Sequence, residues 1–249
     1  MTSVARLPFA VLLGLLACAP ARALRGGVEV VPFTHDSTNA FLVRSGGAAI
    51  LVDSGYERNS ASLEADLRAE GVDPASLKAV VLTHAHADHA GGARALQERY
   101  QVPVLVGAGD VPMLAAGKNE PLCPVGFLAG LRVKGDQEAT FEGYAARVVV
   151  DAPRSLADLG FPGEVVPVPG HTRGSLVVVV GEVALVGDLF RGSLVGSGAE
   201  THLYQCDVDA NRRDVARTLK EVAPRAELFF VGHFGPLERA SVADHFGVH

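Results

Sequence analysis

The chain has 249 residues and a formal net charge of −6, with 48% hydrophobic and 20% charged residues. That apolar share supports a sizeable buried core and excludes a disordered tail, a collagen-like repeat and a coiled coil. The basic residues form no cationic stripe of the kind a nucleic-acid backbone requires, and three cysteines without a Cys-x-x-Cys pair exclude a disulfide scaffold or a thiolate zinc ribbon.

In chain order, residues 1–23 read as an export signal. Arg6 supplies the positive start, Leu7 to Ala17 the apolar run, and Ala21-Arg22-Ala23 a small-x-small cleavage site. The run is shorter than the ~20 residues that span a bilayer. Leu15-Leu16-Ala17-Cys18 also resembles a lipobox, which would anchor the protein by a lipid on Cys18 instead. The expected mature body is a single domain, residues 24–249, exported to the periplasm or secreted, with no transmembrane segment. Processing removes Arg6 and Arg22 and no acid, so the mature chain is more acidic still.

Valine-rich runs then alternate with helical stretches, the pattern of an α/β layered protein. Strands are expected at Val28–Thr34, Asn39–Arg44 and Ala48–Asp53, forming a meander, followed by a helix over Ser60–Glu70 with Ser60 as N-cap and Gly71 as stop. Next come a strand at Lys78–Thr83, a helix at Gly91–Tyr100, a strand at Pro103–Gly107 and a short helix at Asp110–Ala116. Residues 117–146 read as an irregular joint. The second half repeats the order, with strands at Arg147–Val150, Glu164–Val168, Gly174–Val180 and Val183–Val186, a helix from Asp207, a strand at Glu227–Val231 and a terminal helix over Leu237–Phe246. Two β-rich halves, each ending in helices, imply two sheets packed together with helices outside.

The chemistry concentrates where the strand Ala79-Val80-Val81-Leu82 ends, in Thr83-His84-Ala85-His86-Ala87-Asp88-His89-Ala90-Gly91-Gly92. In an extended segment residues two apart share a side, so His84, His86 and Asp88 are expected to converge while His89 faces differently. The small spacers let the backbone turn without crowding a metal. Three further apolar strands end in glycine and a donor: Gly170-His171, Gly187-Asp188 and Gly232-His233. Glycine at these positions is expected to relieve strain where the chain leaves a sheet. Imidazole and carboxylate without thiolate suit zinc, with iron or manganese as alternatives, and an open coordination position marks a catalytic site.

This ordered set resembles the metallo-β-lactamase-fold hydrolase superfamily. The resemblance runs from Leu51-Val52-Asp53-Ser54-Gly55 through Gly232-His233, and Gly170-His171-Thr172-Arg173-Gly174-Ser175 is similar to the glyoxalase II-like branch. It implies a four-layer αβ/βα sandwich of two mixed sheets with helices outside, and two zinc ions. His84, His86 and His171 would hold the first and Asp88, His89 and His233 the second, with Asp188 bridging them. Asp53 would orient a ligand, and Asp88 would act catalytically by positioning a metal-bridging hydroxide and shuttling its proton.

The function so implied is hydrolysis of a small ester, thioester or lactone, a small-molecule carbonyl substrate rather than nucleic acid. The alternatives are a β-lactamase-like amide hydrolase and a mononuclear iron persulfide dioxygenase. Asp188 departs from the true β-lactamases, which resemblance says carry cysteine or a non-ligand there, and Arg191 stands where the lactonases place a tyrosine. Near the expected pocket, Arg173 or Arg191 could grip a carboxylate, and His202 or Tyr204 could donate to an oxyanion. Residues 120–127 could form a lip over the site. In an oxidising compartment Cys123 and Cys206 could pair, although their spacing does not require it.

Overall fold

The computed structural model describes residues 22–248. The export-signal and lipobox readings therefore lie outside the described residues, apart from Arg22 and Ala23.

Strands β1 (Ala23–Arg25), β2 (Val28–His35), β3 (Thr38–Ser45), β4 (Ala48–Val52), β5 (Val80–Val81), β6 (Val104–Gly107) and β7 (Val148–Val150) form one sheet in that spatial order. Pairing is antiparallel from β1 to β4 and parallel from β4 to β7. The parallel half needs crossovers, which α1 (Ala61–Ala69), α2 (Ala87–Ala90), α3 (Ala93–Tyr100), α4 (Val111–Ala116) and α5 (Gly126–Gln137) help to make. Strands β8 (Arg154–Ser155), β9 (Glu164–Pro167), β10 (Leu176–Val180), β11 (Val183–Gly187), β14 (Leu228–Val231) and β15 (Leu237–Glu238) build the second sheet, ordered β15-β14-β11-β10-β9-β8. It too is mixed, because β11 and β14 are parallel. Strands β12 (Arg191–Gly192) and β13 (Ala199–Glu200) make a separate hairpin. Helices α6 (Val208–Arg217) and α7 (Arg239–Phe246) complete the chain.

The period-two alternation of side chains explains the layering. In β3 and β4, Phe41, Val43, Ile50 and Val52 face the second sheet's Leu176, Val178, Leu185 and Phe230, whereas Leu42 and Leu51 pack with Leu63, Leu67 and Leu96 from the helices. On the far side, Val177, Ala184 and Phe229 pack with Val215 and Leu219 of the α6 region and Val242 of α7. Three apolar layers thus separate four structural ones, the expected αβ/βα sandwich. Among the described residues no helix is long and apolar enough to cross a membrane.

Several element expectations need correction. Residues 117–146 are not wholly irregular, since α5 occupies Gly126–Gln137; its Phe127, Leu128 and Leu131 are exposed, so it lacks the amphipathic pattern that marks a helix in sequence. Ser60 stands at the N-cap of α1 but makes no cap bond; its φ is 57° and its hydroxyl donates to Gly92 O. Helix α3 starts at Ala93, two residues later than expected, with Gly91-Gly92 separating it from α2; glycine is needed at 91 because a Cβ there would meet Tyr56 O at 2.6 Å. The terminal helix starts at Arg239, Leu237–Glu238 being taken by the edge strand β15. Edge strand β1, too short to show a pattern, was not expected.

Candidate metal centre

Each chemistry-bearing segment leaves the C-terminal end of a strand. Asp53 follows β4 with φ 61°, and its backbone N–H donates to Val81 O at 2.9 Å. Its carboxylate accepts from Thr83 N and Thr83 Oγ1, both at 2.7 Å, and meets His89 Nδ1 at 2.9 Å. This fixes the Nδ1 proton of His89 and leaves Nε2 free, the expected orienting contact. Beyond His86 the chain coils into α2. Asp88 therefore parts from His84 and His86, contrary to the extended-strand expectation, and joins His89 and His233 instead.

Two residues with no assigned role in the sequence reading organise this loop. Buried Asp110 accepts from Ala85 N at 2.9 Å and Thr172 Oγ1 at 2.8 Å on one oxygen, and from Gly174 N at 2.8 Å on the other. It thereby ties the segment between His84 and His86 to the residues flanking His171. Asn119 accepts from Ala87 N at 2.8 Å. The available signal was position: Asp110 follows β6 as Asp53 follows β4.

From the second sheet come His171 after β9, Asp188 after β11 and His233 after β14. Gly187 has φ 53°, as the strain argument expects, but Gly232 is required for space: a Cβ there would lie 2.2 Å from Asp188 Oδ1 and 2.5 Å from His89 Cε1. Asn39 Nδ2 donates to Val231 O and Phe234 O at 3.0 Å each, clamping the chain on both sides of His233. The His233 ring donates from Nδ1 to Ser37 O at 2.7 Å, and Thr38 Oγ1 donates to Asp88 Oδ2 at 3.1 Å.

The result is a convergence of donors around one carboxylate. Asp188 Oδ2 lies 3.8 Å from His84 Nε2, 3.5 Å from His89 Nε2, 3.8 Å from His171 Nε2, 3.0 Å from His202 Nε2 and 3.4 Å from His233 Nε2. Donor atoms fall within 4.8 Å of one another in four groups: His84, His86 and His171; His84, His89 and Asp188; Asp88, His89 and His233; and His171, Asp188 and His202. His84 Nε2, His89 Nε2 and Asp188 Oδ1 are buried without any hydrogen-bond partner. Unpartnered lone pairs at such density are costly in a protein interior and fit divalent cations.

For the His84, His86 and His171 triad, electrostatics agree with that fit. Burial, helped by neighbouring imidazoles, holds His84 and His171 well below the usual histidine range, and burial takes His86 down to about 4, so this triad is neutral and ligand-ready. Burial opposes the charge on His233 and His89, but the facing Asp188 and Asp88 outweigh it, pushing His233 up to about 10 and His89 well above its ordinary value. Asp188 and Asp88 are held below the carboxylate range against burial, chiefly by His202 and His89 respectively.

The sequence pattern of the metallo-beta-lactamase superfamily matches residues 33–233. The chain belongs to the metallo-β-lactamase superfamily. It is 33% identical over 218 residues to a hydroxyacylglutathione hydrolase of Xanthomonas campestris pv. campestris, covering 88% of this chain and 69% of that protein. It is 27% identical over 181 residues to the probable metallo-hydrolase YqgX of Bacillus subtilis, covering 70% and 78%. Among solved structures, TTHA1623 in a di-iron-bound form superposes with a TM-score of 0.64 at 25% identity, over 86% of this chain and 97% of that one. The DIM-1 metallo-β-lactamase, at 18% identity, shares the fold with a TM-score of 0.63 over 91% and 94%. The family and fold expected from the motifs are thus borne out.

Around this metallo-β-lactamase-fold centre the remaining candidates separate. Arg173, its side chain 81% exposed and 3.8 Å from Glu120, lies on a cleft of about 330 Å³ lined also by His86, His171, Thr172 and Tyr204. Arg191 is buried, ion-paired with Glu200 and donating to Gly192 O, so the structure gives it a partner within the protein rather than a substrate carboxylate. The Tyr204 hydroxyl donates to Asp136 rather than into the centre. His202 does join the centre. Cys123 and Cys206 form a disulfide, which walls the cleft and makes the lip a fixed one.

Proposed function

We propose that this metal-dependent hydrolase of the metallo-β-lactamase superfamily is an exported enzyme that holds two zinc ions and cleaves a small thioester, lactone or ester. His84, His86 and His171 would hold one ion, Asp88, His89 and His233 the other, and Asp188 would lie between them. One observation carries the reading: Asp188 Oδ2 is ringed by imidazoles from both sheets at 3.0 to 3.8 Å, with ring nitrogens left unpartnered. Zinc held there would supply Lewis acidity, polarising a carbonyl and bringing the pKa of a water down towards neutral.

The chain's own residues do the rest. Asp88 keeps 35% of its side chain exposed, the one carboxylate of the centre open to solvent, and is suited to orient the attacking water and accept its proton. Its second hold, from Thr38, fixes that orientation. Asp53 and Asp110 keep the histidine loops in register, so little reorganisation accompanies the reaction. Arg173 at the cleft mouth provides a cation for an anionic substituent of the substrate.

A cleft of about 330 Å³ suits a small molecule, and the similarity to a hydroxyacylglutathione hydrolase favours a thioester. The Cys123–Cys206 disulfide supports an oxidising compartment and hence export. Elemental analysis should find about two zinc ions per chain, and a panel of thioesters, lactones and β-lactams should show zinc-dependent cleavage of the first two. One iron per chain with persulfide oxidation, or β-lactam turnover orders of magnitude above the rest, would overturn the assignment. Intact mass of exported protein should match a start at Leu24; a lipid-modified Cys18 start would move it to a membrane-anchored form.

A further inference from the structure

The fourth donor group of the centre, His171 with Asp188 and His202, has no place in a two-ion scheme built from seven ligands. His202 is nonetheless 3% exposed, and its Nε2 makes the shortest of the five imidazole approaches to Asp188 Oδ2, at 3.0 Å. The ring stacks on His233 with centroids 5.5 Å apart and stands edge-on to His171 at 4.9 Å. Such a residue either binds a cation or serves a group that does. Which one depends on where its proton sits.

We propose that His202 is a positioning residue that donates a hydrogen bond from Nε2 to Asp188 and is not an eighth metal ligand. The backbone N–H of Tyr204 donates to His202 Nδ1 at 3.3 Å, a closer approach than the 3.5 Å between Nδ1 and Tyr204 O. A backbone N–H can only donate, so Nδ1 accepts and the ring N–H is on Nε2. An imidazole nitrogen bearing hydrogen cannot ligate a cation, whereas it can donate to a carboxylate at 3.0 Å. Only Oδ1 of Asp188 is left without a partner. Holding Oδ2 from one side fixes the plane of the carboxylate that the two proposed ligand triads share. The usual arrangement, in which a carboxylate orients a histidine, is here reversed.

The backbone keeps the ring from swinging into a ligand position. Val125 N donates to Leu203 O at 2.7 Å and Gln205 N to Cys123 O at 2.9 Å, so the segment flanking His202 is laddered onto the lip. The Cys123–Cys206 disulfide closes that ladder, and Gln205 Nε2 donates to Asp188 O at 3.3 Å. The lip and the centre are thereby one rigid assembly, which places His202 as firmly as a strand would.

The inference rests on the dinuclear reading of the site, and its test separates the two. Wild type, His202→Ala, His202→Gln and His202→Asn are purified with equal zinc supply and compared for metal content, kcat and the visible spectrum of the cobalt(II)-substituted protein. Gln places its amide N–H near the Nε2 position, whereas Asn ends near Nδ1. Expected are unchanged metal stoichiometry in all four, kcat lowered about 10–100-fold in His202→Ala and His202→Asn, and substantial recovery in His202→Gln with wild-type cobalt bands. Loss of one metal equivalent or a changed cobalt band pattern in His202→Ala, not restored by Gln, would make His202 a ligand and overturn the proposal. So would wild-type kcat in His202→Ala, or retained metal with no recovery in Gln. A wild-type protein that holds fewer than two ions overturns the dinuclear reading itself, before any variant is compared.

Discussion

Asp110 shows how one buried side chain can govern a centre it does not enter. Its two oxygens take three donors from the loops that carry His84, His86 and His171. Replacing it by Asn keeps the volume but turns one acceptor into an N–H, which must face Ala85 N–H or Gly174 N–H. An orphaned buried donor costs about 1–3 kcal/mol, so Asp110→Asn should unfold at lower temperature and bind metal more weakly at the His84, His86 and His171 triad, while the Asp88, His89 and His233 group changes little. Thermal unfolding and metal titration of the variant check this; an unchanged triad affinity would make Asp110 a structural residue only. The ligand candidates themselves were legible in the sequence because four donors with small spacers follow an apolar strand and three more repeat the strand-glycine-donor pattern. Asp110 and Asn119 were not, because their partners are backbone N–H groups of loops brought near only by the fold. The roles of Arg191 and Tyr204 were likewise hidden, since Glu200 and Asp136 meet them through tertiary packing.

At the scale of elements, the core strands were legible because runs such as Ala48–Val52 are apolar on both faces, as strands between two layers must be, whereas the short strands β1, β8, β12, β13 and β15 left no pattern to read. Helix α5 was not, since Phe127, Leu128 and Leu131 are exposed and only Ala129 is buried. The lip it follows is held by the ladder to Leu203–Gln205 and by the disulfide, which bridges a sequence separation of 83. A cross-link over so long a loop limits the unfolded chain, a contribution of typically 2–4 kcal/mol. The Cys123→Ser/Cys206→Ser double variant should therefore lose a few kcal/mol in denaturant unfolding, and thiol reductant should destabilise the wild type alone. A reductant effect of equal size in the double variant would remove the disulfide as the cause.

Across the whole molecule the proposed ligands are divided between the sheets: His84, His86, Asp88 and His89 follow the first, and His171, Asp188 and His233 follow the second. The two sheets otherwise meet through one apolar layer and a few hydrogen bonds, such as those from Asn39 to Val231 O and from Leu176 N to Thr83 O. Anything bound to both sets favours the folded state by RT ln(1 + [L]/Kd), about 2.7 kcal/mol at a hundredfold excess over Kd. Chelation should accordingly lower the melting temperature, and zinc should restore it in a concentration-dependent way. A melting temperature indifferent to chelator would mean that the sheets are joined by packing and those hydrogen bonds alone.

The disulfide has a further consequence, for how the protein ages among proteases. His171 and Asp188 both lie between Cys123 and Cys206, and so does the exposed stretch Asp151-Ala152-Pro153, an accessible place for a cut. A single break there opens the ring that the backbone and the disulfide close, but the disulfide still joins the two pieces, and the strands on either side are held by their pairing. Nicked protein should run as one species without reductant and as two with it, and it should keep activity until the sulfur bridge is reduced. For the exported enzyme proposed above, that bridge turns a backbone cut from a loss into a tolerated injury.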